Sequence, residues 1–178
     1  MRKKYFFLIL IVLLGFTSWA AQALYRERNF SLRRASFLTL LSSRSAAQKK
    51  NIGLAASKIN GVIIYPGKVF SLNEGAGPYA SEEGFLKERT FEKEAFAFKA
   101  GGGVCQLAST LYNAALQAGL EIEERTQHSR PVQSVPWGQD ATLVYGLSDL
   151  KIKNPFEFPL KIVSMIKNEE LKVEVWGK

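Results

Sequence analysis

The stretch KAGGGVCQLASTLYNAALQAG, Lys99 to Gly119, decides how this chain is read. Three glycines, Gly101, Gly102 and Gly103, lead through Val104 to Cys105, the only cysteine present. Beyond them Gln106, Thr110, Asn113 and Gln117 recur at helical spacing and share one face. The rest of that surface is Ala, Leu, Tyr and Cys, so the pattern predicts a helix over 104–118 that is buried on most sides. Gly119 supplies its stop, since glycine takes the left-handed conformation that closes a helix without a Cβ clash.

Working outward, LEIEERTQHS reads as a strand and RPVQSVPWGQ as a loop. DATLVYG, DLKIKN, FPLKIVSMIK and ELKVEVWGK alternate apolar and polar residues over short lengths, the signature of antiparallel strands. Toward the N-terminus, KKNIGLAASKIN predicts a helix stopping at Asn60-Gly61, and VIIYPGKVFSLN two short strands about a Pro-Gly turn. EGAGPYASEEG reads as loop and FLKERTFEKEAFAFK as strand pieces. The expected fold is α+β, a central buried helix packed on a C-terminal antiparallel sheet, spanning 49–178.

Two segments precede this domain. Residues 25–48, polar and basic, are expected to form a juxtamembrane stalk. Residues 1–24 begin with the basic MRKK, followed by the uncharged YFFLILIVLLGFTSWAAQAL, about 20 residues and just long enough to span a bilayer. A small-x-small pattern ends at Ala23, so the segment is a cleaved signal peptide or, the preferred reading, an N-terminal membrane anchor. Either places the remainder on the extracytoplasmic side, because the basic end stays inside. The net charge is +8; without Arg2, Lys3 and Lys4 it is +5. That balance suits an anionic envelope polymer such as peptidoglycan with its partners, or a lipid surface. No basic stripe with interleaved aromatics points to nucleic acid.

A single cysteine in an exported chain forms no internal disulfide, which leaves inert burial, an intermolecular bridge or a nucleophile. Its place favours the last. A helix N-terminus stabilises a thiolate through unpaired N–H groups and the helix dipole. Glycines before it leave the backbone bare for a substrate. His128 is the only histidine. A helix leading away by about 20 Å and a strand returning by a similar length would bring His128 beside Cys105. Asp140, at the start of the next expected strand, would then orient the imidazole. Gln106 is a candidate oxyanion donor beside the Cys105 N–H. No CxxC or HExxH spacing exists, and neither metal nor cofactor is expected. The alternative is a non-catalytic module that binds the cell wall, with Cys105 merely packed and Asn73 and Trp137 lining a groove.

VIIYPGKVFSLNEGAGP, GGGVCQLASTLYNAALQAGL, QHSRPV and GQDATLVYGLSDLKIKN together resemble the VanW-like family across roughly 51–178. The resemblance implies an envelope-linked bacterial protein of the kind found in glycopeptide-resistance gene clusters, and supplies no activity. Gly-x-Cys at a helix start, with His and Asp following, also looks like the transglutaminase-like and papain-like cysteine hydrolases, although Ser129 stands where those carry an aromatic residue. The expected function is a cysteine-dependent hydrolase or acyltransferase acting on peptidoglycan peptide or amide bonds.

Overall fold

A computed structural model describes Ala21, residues 28–92 and residues 95–178. Apart from Ala21, the expected N-terminal membrane segment lies outside the described residues. Among those described, no helix is long and apolar enough to cross a membrane.

The elements run β1 (Leu32–Leu40), α1 (Ala46–Ile59), β2 (Ile63–Ile64), β3 (Val69–Ser71), a short α2 (Leu72–Ala76), a 3-10 turn (Ser81–Glu83), β4 (Lys87–Glu92), β5 (Ala95–Ala100), α3 (Cys105–Ala118), β6 (Glu121–Glu124), β7 (Lys151–Lys153), β8 (Leu160–Lys167) and β9 (Glu170–Gly177). They form a four-stranded sheet in the order β1-β9-β8-β2, a three-stranded sheet β3-β7-β6 and a two-stranded ribbon β4-β5. Every strand pairing is antiparallel. The protein is thus a mixed α/β fold with antiparallel sheets.

Local sequence explains the main elements. Ser45 and Gln48 form a reciprocal capping box at the start of α1, and Ile52, Ala55, Ala56 and Ile59 line its buried side. Asn168 and Glu169 both hold positive φ, which closes the tight β8–β9 hairpin with Lys167 opposite Glu170. Helix α3 buries Leu107, Ala108, Leu111, Ala114 and Ala115 completely. It packs on β1 and β9, over a core that includes Ile162, Val173 and Val175. Gly119 closes it in the left-handed conformation.

Two expectations need correction. Part of the expected stalk is β1, an integral strand paired with β9 from Leu32–Gly177 to Leu40–Glu170. Its inward residues are Ala35, Phe37 and Thr39, of which only Phe37 is large, while Leu32, Leu38 and Leu40 are exposed, so no clean apolar–polar alternation announces the strand. Thr39 Oγ1 lies 2.9 Å from Thr110 Oγ1. The polar face of α3 is accordingly not its solvent face: Gln106 and Thr110 are buried against β1, and Asn113 is buried against the 139–148 segment. The second correction concerns Asp140. It starts no strand; 139–148 is irregular apart from one bridge between Val144 and Ser148.

Candidate active site

The glycines set the position of Cys105. Gly101 and Gly103 hold φ of +83° and +101°, and a Cβ on either would fall 2.5 Å from Tyr79 Cβ or 3.1 Å from Gln48 Cβ. Only glycine fits both demands. The Gly102 carbonyl is held by Asn51 Nδ2 at 3.0 Å, so α1 clamps the loop from behind. Val104 and Gln106 direct their N–H groups to Gly101 and Gly103. The Cys105 N–H has no protein acceptor among the described residues and opens toward the start of the helix.

The Cys105 sulfur is half-buried and faces one residue of the 139–148 segment. The Leu143 N–H donates to it at 3.4 Å, and the thiol donates to the Leu143 carbonyl at 3.7 Å. His128 completes the approach. Strand β6 is short, but the chain past it stays extended alongside 140–143, with the Thr142 N–H donating to the Thr126 carbonyl at 2.8 Å. His128 Nδ1 lies 2.6 Å from Asp140 Oδ2, which also accepts the His128 backbone N–H at 2.7 Å. Burial pulls the imidazole pKa down, but hydrogen bonding and charge interaction with Cys105, reinforced by Asp140, outweigh it and raise the value above its ordinary level. With Nδ1 turned to Asp140, Nε2 is the nitrogen left for the thiol.

Asp140 is 1% exposed. Burial alone would raise its pKa, yet hydrogen bonds from the His128 backbone and ring hold it below the usual carboxylate range. Arg125 braces the same turn: Nε donates to the Asp140 carbonyl at 2.6 Å, and Nη2 to the Gly138 carbonyl at 2.8 Å and the Asp140 carboxylate at 3.4 Å. The polar face of α3 holds the segment from the other side. Ser109 Oγ accepts from the Ala141 N–H, and Asn113 Nδ2 donates to the Gln139 carbonyl. Ser109, Asn113, Arg125 and Leu143 were missed by sequence reasoning. The only signal was an unusual run of polar residues on an otherwise apolar helix.

The remaining sequence candidates divide. Gln106 is not an oxyanion donor. It is 2% exposed, and its Nε2 donates to Thr39 Oγ1 and the Leu40 carbonyl, both at 2.9 Å. Its direction follows from helix geometry, since the residue after Cys105 points about 100° away around the helix. Asn73 lies beyond Tyr79, in a cleft of about 430 Å³ that also includes Glu74, Tyr145, Asp149 and Lys151. Neither Cys105 nor His128 lines that cleft. Asn73 Oδ1 is buried without a partner. Trp137 is 57% exposed and lines no part of it, so the expected groove shared by Asn73 and Trp137 does not form. Tyr79 separates thiol from cleft; burial, with the nearby charges of Asp149 and Cys105, pushes its phenol pKa well up and keeps it protonated. Among the described residues, no group of three or more His, Cys, Asp or Glu side chains is arranged to hold a metal ion.

Comparison with known proteins brings the family into view. Residues 47–176 match the family described as VanW like protein, a match that begins at α1 and leaves β1 outside. The chain is 34% identical over 126 residues to the uncharacterized protein YoaR of Bacillus subtilis (strain 168), covering 71% of this chain and 42% of that one. It is 28% identical over 132 residues to the vancomycin B-type resistance protein VanW of Enterococcus faecalis (strain ATCC 700802 / V583), covering 71% of this chain and 48% of that one. It therefore spans less than half the length of these curated relatives. No solved structure matches it. The matched range runs through the glycine loop, α3 and the His128–Asp140 turn and covers most of the chain, so the chain belongs to the VanW-like family.

Proposed function

We propose that this protein is a membrane-attached, extracytoplasmic cysteine enzyme that hydrolyses or transfers acyl groups at peptide or amide bonds of peptidoglycan. The observation that carries the proposal is the meeting of the chain's only thiol with its only imidazole and a buried carboxylate. His128 takes the proton from Cys105, and the sulfur attacks the carbonyl carbon to form a C–S bond. The negative oxygen that develops meets the open Cys105 N–H at the helix start. His128 then gives the proton to the departing amine as the C–N bond breaks, leaving a thioester. Water or a second amine attacks the thioester, His128 again accepts the proton, and the C–S bond breaks to restore the thiol. Asp140 keeps the imidazole in one orientation and stabilises its cationic form.

Three features support the cell wall as the setting: the glycopeptide-resistance name carried by one relative, the basic charge, and the basic-then-apolar N-terminus. A second reading rests on the cleft. An open cleft with an unpartnered Asn73 oxygen suits a module that binds wall fragments without chemistry. The two separate in one experiment. The full-length protein is incubated with purified muropeptides, and the products and any acyl adduct on Cys105 are read by mass spectrometry. New products from the parent, lost in Cys105→Ser and His128→Gln, support catalysis. Identical products from parent and Cys105→Ser overturn it and leave the binding module standing.

A further inference from the structure

We propose that Arg44 forms a carboxylate-binding subsite beside Cys105, so that the substrate carries a free carboxylate close to the carbonyl that the thiol attacks. This rests on the catalytic role of Cys105 proposed above, and it begins from Gln106. The Gln106 amide has one self-consistent orientation. Its Nε2 must face the Leu40 carbonyl, a pure acceptor, while its Oε1 faces the Arg44 Nε–H, a pure donor, at 2.6 Å. With Nε2 also on Thr39, the amide is fixed in the wall between α3 and β1. Arg44 is therefore held by its Nε through a rigid neighbour of the nucleophile.

That single bond leaves the outer fork of the guanidinium. Among the described residues, Nη1 and Nη2 form no ion pair or hydrogen bond, and neither is a buried orphan, so both open to the surface. Arg44 sits at the turn entering α1, where its own N–H donates to the Leu41 carbonyl. One turn later Gln48 packs on Gly103, which places Arg44 on the glycine-loop side of Cys105. Burial lowers the guanidinium pKa while the charge of Cys105 opposes that shift, so the two groups lie within electrostatic reach. A planar pair of N–H donors with Nε already anchored matches a carboxylate in two-pronged fashion. One isolated arginine is too little for a phosphate chain, and it offers nothing to an amine.

The test uses two thiol reagents that differ only in a carboxylate. Iodoacetate and iodoacetamide both alkylate Cys105 by the same step, in which the C–S bond forms and iodide leaves. Expected is a ratio of iodoacetate to iodoacetamide rates that falls about tenfold in Arg44→Gln and about threefold in Arg44→Lys, with the iodoacetamide rate within about twofold of the parent. A ratio unchanged in both variants overturns the subsite. Equal losses with both reagents also overturn it, since Arg44 would then act on the thiol alone. If Cys105 in the parent reacts with neither reagent, the catalytic proposal fails by itself. The subsite is then decided by the Arg44 Nε–H resonance during titration with N-acetylalanine, N-acetylglutamic acid α-amide and the neutral N-acetylalaninamide. A shift with the first marks a C-terminal carboxylate, a shift with the second a side-chain carboxylate, and no shift, or an equal shift with the neutral amide, overturns the subsite.

Discussion

At the scale of residues, His128 and Asp140 depend on each other. Asp140 is removed from water, and a buried carboxylate is tolerated only when its oxygens are hydrogen-bonded. Two of those bonds come from His128, one from the backbone and one from the ring. The raised imidazole pKa means that the folded state binds a proton more tightly than the unfolded chain. The resulting stability is fully present below the ordinary imidazole value of 6.5 and is lost as pH rises through the higher folded value. Asp140, with its lowered pKa, contributes in the opposite sense: its share is present above about 3.8 and is lost as pH falls through the depressed folded value. The difference in melting temperature between the parent and His128→Gln should therefore be largest between about pH 5 and 6 and shrink toward pH 8. Thermal unfolding followed by circular dichroism across that range reads the trend, and a gap that widens with pH would contradict the assignment.

At the scale of elements, α1 and α3 hold the nucleophile between them. Asn51, on the buried face of α1, is fully inaccessible. Its Nδ2 donates to the Leu86 and Gly102 carbonyls, and its Oδ1 accepts the Leu86 N–H at 2.7 Å. One side chain thus joins the helix to the start of the β4–β5 ribbon and to the glycine loop. Asn51→Ala leaves the Gly102 carbonyl and the Leu86 N–H short of a partner, while the Leu86 carbonyl keeps the Gly101 N–H, and each group left short costs on the order of 1 kcal/mol. The expected loss is about 2 kcal/mol in denaturant unfolding, along with faster amide exchange at Gly102 to Cys105. A loss under about 1 kcal/mol with unchanged exchange would mean that the loop holds its shape through Gly101 and Gly103 alone.

At the scale of the whole molecule, β1 matters most because it lies far from the site in sequence and next to it in space. It forms the edge of the main sheet, covers the polar face of α3 and anchors Gln106. A chain beginning at Lys49 keeps nearly all of the family match at 47–176 but loses that strand, the α1 cap at Ser45 and Arg44. Buried Gln106 and Thr110 would then face water or unpaired space, and the total is comparable with the 5–15 kcal/mol that holds a domain together. The expected result is a cooperative thermal transition for a chain beginning at Arg28 and a broad or absent one for a chain beginning at Lys49. Equal transitions would show β1 to be dispensable.

The sequence by itself determined the elements whose signals are local. Helix α3 was legible from its spacing and Gly119, α1 from its stop at Asn60-Gly61, and the β8 and β9 strands from their alternation, because period and turn chemistry are set by neighbours along the chain. The return of His128 toward Cys105 was expected from the matched lengths of an outgoing helix and a returning strand, whereas Asp140 reaches His128 from an irregular segment and not from the strand start that was expected. What only the tertiary structure decided was direction and partnership. Gln106 points to β1 because a helix turns about 100° per residue, and nothing local says which neighbour fills each sector. The 25–48 segment reads as a stalk because Ala35 and Thr39, facing α3, are small while Leu38 and Leu40 are exposed, so the alternation that marks a strand is blurred. Arg125, Leu143 and Asn51 work through backbone groups distant in sequence, and a backbone carbonyl looks the same in every residue until the fold has placed it.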